Sequence, residues 1–233
     1  MLKIYRKVIS LAVRERRKIR LGKIYRRFRE FTMISASTYV DNLILAERVS
    51  KLSGCVVECG VWRGGMIAGM AALLGQNRRY FLFDSFEGLP PAKVIDGEAA
   101  LSWQNAKHLP GYYDNCTAPE DFAARAMTMA GASSFQLIKG WFNETIPSFN
   151  PLEPIAILRL DGDWYDSTMV SLQSLFELVA PGGLIVLDDY HTWDGCSRAL
   201  HDFLSRKSAV ERIQSFNNIC FLERKGAIQT AKV

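Results

Sequence analysis

Short apolar, β-rich runs that each end in a glycine or a carboxylate constrain this chain most. Cys55-Val-Val-Glu-Cys-Gly-Val61, Arg79-Tyr-Phe-Leu-Phe-Asp84, Phe135-Gln-Leu-Ile-Lys139, Ile155-Ala-Ile-Leu-Arg-Leu160 and Leu184-Ile-Val-Leu187 read as strands. Between them lie stretches that read as helices: Gly64 to Leu74, Pro119 to about Ala130, and Ser167 to Ala180, stopped by Pro181-Gly-Gly183. A further helix from Trp193 to Ser205 is followed by a closing hairpin, near 212–216 and 219–224, turning at Asn217-Asn218. Strands apolar throughout and separated by helices predict an α/β fold, a largely parallel sheet covered on both faces. Residues 87–117, rich in Gly, Pro, Asp and Asn, read as a long loop without structure of its own, a type that is usually functional.

In such sheets ligands bind at the carboxyl ends of the strands. Here those ends carry Glu58 and Gly60, Asp84, Asp161 and Asp163, and Asp188 with Asp189. The first turn, Glu58-Cys-Gly60-Val-Trp-Arg-Gly64-Gly65, lets backbone approach a ligand, but its spacing is not the dinucleotide G-x-G-x-x-G. A carboxylate at Asp84 suits the hydroxyls of a ribose, or caps a turn. Asp188-Asp189 concentrates like charge at a strand end, which a cation or a basic partner such as Arg159 or Arg198 would relieve. Oxygen donors without a Cys or His set favour Mg²⁺ or Ca²⁺.

Charge is unevenly spread. Residues 1–30 hold 12 Lys/Arg against 2 Asp/Glu, so the net +5 of the chain hides a mildly acidic body. The expectation is a basic helical extension over 1–37 that packs on the body or a homodimer partner, or that touches an anionic membrane surface through residues 1–30. Without an aromatic-basic sheet motif, no nucleic-acid partner is expected. Five cysteines with no C-x-x-C argue against a disulfide scaffold and for a reducing, cytoplasmic setting, at most peripheral to the membrane's inner face. No apolar run approaches the ~18 residues of a membrane span.

Val57-Glu-Cys-Gly-Val-Trp-Arg-Gly-Gly65, Asp84-Ser-Phe-Glu-Gly-Leu-Pro90, Lys139-Gly-Trp-Phe-Asn-Glu-Thr-Ile-Pro147, Leu160-Asp-Gly-Asp-Trp-Tyr-Asp-Ser-Thr168 and Pro181-Gly-Gly with Asp188-Asp-Tyr190 together resemble the macrocin O-methyltransferase (TylF-type) family. The resemblance implies a Rossmann-like class I methyltransferase domain over 38–233 with a mostly parallel seven-strand sheet. It also implies S-adenosylmethionine and Mg²⁺ as cofactors, and a sugar or glycoconjugate hydroxyl as acceptor. By position, it implies that Glu58, Gly60, Val61, Trp62 and Gly64 face the methionine part of the cofactor. Asp84 would hold its ribose, Ser85 and Phe86 would lie near the adenine, and Gly140 and Trp141 would line the adenine pocket. Asp161, Asp188 and Asp189 would bind the metal, and 87–117 would shape the acceptor site. The segments 87–117 and 1–30 match the family's pattern poorly, which leaves the acceptor open.

Two vicinal hydroxyls on a divalent ion would have a lowered pKa, and Asp161, Asp163 or the loop residue His108 could take the proton. The rival readings are a catechol-type Mg²⁺ methyltransferase, an NAD-binding oxidoreductase and a membrane-surface scaffold.

Overall fold

The computed structural model describes the backbone of residues 2–226 and the side chains of residues 15–226. Among the described residues, seven strands form one sheet: β1 (Cys55–Cys59), β2 (Arg79–Asp84), β3 (Ser134–Lys139), β4 (Ile155–Leu160), β5 (Val179–Leu187), β6 (Gln214–Phe216) and β7 (Ile219–Glu223). Their order is β3-β2-β1-β4-β5-β7-β6. The first five run parallel, and β7 enters antiparallel between β5 and β6. The chain reverses its direction of winding between β1 and β4, so the crevice above their carboxyl ends is where a ligand of this fold sits.

Among the described residues there are eight helices: α1 (Leu2–Phe28), α2 (Ala36–Arg48), α3 (Gly65–Leu74), α4 (Glu98–Asn105), α5 (Glu120–Ala130), α6 (Phe142–Thr145), α7 (Tyr165–Leu175) and α8 (Asp194–Lys207). Alternation along the strands sorts the core into two layers. Val56, Leu82, Ile157 and Val186 face α1, α2, α3 and α5, whereas Val57, Phe83, Leu158 and Leu187 face α7 and α8. The strands β1 and β4 are buried at every residue, as both-sided cover requires.

The end of α1 is part of this core. Leu21 and Phe28 are fully buried, Ile24 and Tyr25 pack against the same layer, and Arg17 and Arg20 both pair with Glu47 of α2. The basic segment therefore packs on the body over this stretch. Ile4, Val8 and Leu11, which carry its upstream apolar pattern, have side chains outside the described residues.

Two sequence expectations change. Residues 87–117 are not structureless: they hold α4, a 3-10 turn at Val94–Asp96 and a kinked turn over Pro110–Cys116 in which Tyr113, Asp114 and Asn115 have left-handed backbone. Side chains supply the order that Gly and Pro suggested was missing. Gln104 donates to the Pro90 carbonyl and to Asn115 Oδ1, Trp103 Nε1 donates to the Gly111 carbonyl at 2.9 Å, and Asp96 accepts from the Tyr165 amide at 2.7 Å. The helix expected to reach Ala180 ends at Leu175, passes through a 3-10 turn at Phe176–Leu178, and gives way to strand at Val179. Val179 pairs with Ile155, and Pro181-Gly-Gly183 form an irregularity inside β5 that Arg224 bridges with two backbone hydrogen bonds.

Candidate active site

Strand register builds the centre of the site. Glu58 of β1 lies beside Arg159 of β4, and Arg159 beside Val186 of β5, two residues before Asp188. Side chains two apart share a face, so Glu58, Arg159, Asp161 and Asp188 gather on one side of the sheet. Arg159 is fully buried there. Its Nη1 donates to Glu58 Oε1 at 2.5 Å and to Asp161 Oδ2 at 2.7 Å, and its Nε reaches Asn42 of α2 at 3.4 Å. Its Nη2 lies 2.5 Å from Asp188 Oδ1, a charge pairing without hydrogen-bond alignment. A buried cation shared by three carboxylates is how this strand end tolerates its charge. Burial still raises the Glu58 carboxyl to about 8 against the pull of Arg159, and Glu58 Oε2 has no hydrogen-bond partner among the described residues.

Beside this hub, Asp161, Asp163 and Asp189 each place an oxygen within 4.8 Å of the others. The Asp163 amide donates to Asp189 Oδ2 at 3.1 Å, and Trp193 Nε1 donates to Asp163 Oδ1 at 2.8 Å. Asp163 holds a left-handed backbone, φ +56°, which aspartate tolerates better than bulky residues. Desolvation is the largest cause of a raised pKa in all three carboxyls: Asp161 to about 6 against the pull of Arg159, Asp163 to about 7 with the charges of Asp161 and Asp188 adding to it, and Asp189 well above the ordinary carboxylate range with Asp163 and Asp161 adding to it. Crowded oxygens that resist ionising together are the electrostatic setting a hard divalent ion relieves, and the all-oxygen donor set fits Mg²⁺ or Ca²⁺. Asp188 stays outside this group, drawn to Arg159, while Asp163 stands inside it.

On the other side of the crevice, Asp84 is fixed by three backbone donors. The Val61 and Trp62 amides reach its Oδ2 at 2.9 and 2.8 Å, and the Phe86 amide reaches its Oδ1 at 2.7 Å. Burial nevertheless raises its pKa. The turn beneath needs glycine at position 60, where φ is +88° and an added Cβ would lie 1.7 Å from the Asp161 carbonyl oxygen. That contact brings the β1 turn hard against the β4 carboxylates.

All of this opens on one cavity of about 1080 Å³. Of the residues expected at the cofactor, Gly60, Trp62, Asp84, Ser85 and Trp141 line it, as do Asp161, Asp163, Asp188 and Asp189. Val61, Gly64, Phe86 and Gly140 stand behind that lining, and Glu58 points into the buried hub at Arg159. His108 is exposed on the link after α4, off the cavity wall, so the structure does not bring it to the carboxylates. The sequence reading missed Trp103, Trp164 and Trp193 as cavity residues. The signal was present in the tryptophans directly after Asp163 and near Asp189, whereas Trp103 carried none. Arg159 was noted only as a partner for an aspartate. Its central place needed the register of β1 against β4.

The macrocin-O-methyltransferase (TylF) family pattern matches residues 26–225. A tetracenomycin-type 8-demethyl-8-(2,3-dimethoxy-alpha-L-rhamnosyl)-tetracenomycin-C 4'-O-methyltransferase from Streptomyces olivaceus is 34% identical over 77% of this chain and 67% of its own length. The mycinamicin III 3''-O-methyltransferase of Micromonospora griseorubida is 32% identical over 69% of this chain and 64% of its own. The chain thus spans about two thirds of these relatives. Among solved structures, the O-methyltransferase NovP superposes with a TM-score of 0.70 at 25% identity, covering 84% of this chain and 83% of that one. An O-methyltransferase from Bacillus cereus in complex with SAH superposes at 0.53 with 12% identity, covering 88% and 90%, and shares the fold. The sheet and its cover are those of the Rossmann-like class I O-methyltransferases.

Proposed function

Because the chain belongs to the macrocin-O-methyltransferase (TylF) family, we propose that it methylates a hydroxyl of a sugar or glycoconjugate, using S-adenosylmethionine and a divalent cation. The observation that carries this reading is the meeting, in one cavity, of the backbone-fixed Asp84 and the Asp161/Asp163/Asp189 group. The relatives named for a rhamnosyl tetracenomycin and for mycinamicin III support a glycosidic acceptor.

S-adenosylmethionine supplies the electrophilic methyl group. Asp84 keeps acceptor capacity beyond its three N–H bonds, so it can take the ribose hydroxyls. Trp62, Ser85 and Trp141 wall the same half of the cavity and exclude water from the cofactor. Asp161 and Asp189 are the cation ligands on which sequence and geometry agree; Asp188, the third expected from the sequence, has its Oδ1 held 2.5 Å from Arg159 Nη2 and would reach the ion through Oδ2. A divalent ion bound there supplies Lewis acidity that lowers the pKa of an acceptor hydroxyl.

Asp163 is assigned the proton. Trp193 occupies its Oδ1, leaving Oδ2 to accept from the acceptor oxygen. Arg159 holds Asp161 and Asp188 in place from below.

The test is transfer of radiolabelled methyl from S-adenosylmethionine to a panel of glycosides and catechols, with Mg²⁺ and with EDTA. Methylated glycoside in Mg²⁺ alone is expected. Transfer to catechols only, or transfer indifferent to EDTA and to Asp189→Asn, contradicts the reading.

A further inference from the structure

The geometry points to Trp103 and Trp193 as the acceptor's ring platform, with the same Trp193 positioning Asp163 for the reaction; this rests on the sugar-methylation reading above. Trp103 of α4, Trp164 after β4 and Trp193 after β5 form a triangle. Their ring centroids lie 6.2 Å (Trp103–Trp164), 6.0 Å (Trp103–Trp193) and 5.4 Å (Trp164–Trp193) apart, with interplanar angles of 60–68°. All three line the cavity. Trp164 is buried, whereas Trp103 and Trp193 are half-buried and keep indole surface in contact with the cavity.

Each indole is fixed by its N–H. Trp164 donates to the Pro90 carbonyl at 2.9 Å, Trp103 to the Gly111 carbonyl at 2.9 Å, and Trp193 to Asp163 Oδ1 at 2.8 Å. The cluster is a built wall, with no indole N–H left for a ligand. What it offers is flat apolar surface, which suits the C–H face of a pyranose ring while the ring's hydroxyls turn elsewhere.

Position separates this wall from the cofactor. Trp62 and Trp141 follow β1 and β3, on the Asp84 half of the sheet. Trp164 and Trp193 follow β4 and β5, on the half that carries Asp161, Asp163 and Asp189. A ring packed on Trp193 therefore lies next to the carboxylate to which that indole is bonded. Trp103 reaches the same place from the segment 87–117, through α4.

The experiment uses the full chain with Mg²⁺. S-adenosylhomocysteine binding is measured by calorimetry, and KM and kcat on phenyl α- and β-pyranosides of the gluco, galacto, manno and rhamno series. Trp103→Ala should raise KM for the best glycoside about tenfold or more, a loss of roughly 1.4 kcal/mol per tenfold, with S-adenosylhomocysteine affinity unchanged. Trp103→Phe, which keeps a flat ring, should stay within about threefold of wild type. Trp193→Phe keeps the ring but removes the N–H to Asp163, so kcat should fall about tenfold while KM holds.

An unchanged KM in Trp103→Ala overturns the platform. So does an equal loss of S-adenosylhomocysteine affinity, which would make Trp103 part of the cofactor site. So does a wild-type protein that binds S-adenosylhomocysteine yet methylates none of the pyranosides. A wild-type protein that binds no S-adenosylhomocysteine removes the underlying reading instead.

Discussion

Arg159→Met is the most searching perturbation of this site. The guanidinium is fully buried and pairs with Glu58, Asp161 and Asp188 within 2.7 Å. Methionine fills similar space but leaves the carboxylates without a counter-charge. Removing one partner of a buried ionic cluster costs about 3–5 kcal/mol. At about 2–4 °C per kcal/mol for a domain of this size, Tm should fall by about 6–20 °C.

The loss should also depend on pH. Without Arg159 the folded Glu58 and Asp161 carboxyls rise further above their unfolded values, so the folded variant holds protons that the unfolded chain releases. Stability then falls as pH rises, and the gap to wild type should be wider at about pH 8.5 than at about pH 5.5. Adding Glu58→Gln should restore part of the loss, because it deletes one stranded charge. Differential scanning calorimetry across pH reads all three effects. A Tm drop under about 3 °C, or a gap that widens toward acid, would refute the hub as the organiser of these carboxylates.

Three further outcomes follow from the same geometry. In EDTA, the raised pKa values of Asp161, about 6, and Asp163, about 7, mean that stability declines as pH climbs through that range, with Asp189 acting in the same direction, so added Mg²⁺ should raise Tm more at about pH 8 than at about pH 5 in thermal-shift scans. Asp188→Asn should weaken Mg²⁺ binding by about tenfold or more in calorimetry, whereas Asp163→Asn should lower kcat by about a hundredfold or more with Mg²⁺ affinity retained. The reverse pattern would exchange their roles. Asp84→Asn keeps an oxygen for the Val61 and Trp62 amides but sets an NH₂ donor against the Phe86 amide and loses the charge, so it should weaken S-adenosylhomocysteine about tenfold and lower Tm as well.

The parallel sheet was legible because β1 and β4 are apolar on both faces, and the strand-end carboxylates because Asp-Asp and Asp-Gly-Asp interrupt apolar runs. Gly60 was legible for a physical reason the structure supplies, its contact with the Asp161 carbonyl. The order within 87–117 was hidden because side chains far apart in sequence create it. Trp103 bonds to Gly111, Gln104 to Pro90, and Asp96 to Tyr165, which local propensity does not register. The division of the four aspartates was hidden for a related reason. Which of them Arg159 engages depends on how β4 and β5 are aligned, and the strand sequences alone do not fix that alignment.

The most direct measurement of the central claim is calorimetric titration of S-adenosylhomocysteine into the purified protein, with Mg²⁺ and again with EDTA. Micromolar binding in both buffers, weakened by Asp84→Asn and indifferent to Asp189→Asn, is the predicted result. Absence of binding in either buffer would contradict the assignment of this cavity to S-adenosylmethionine.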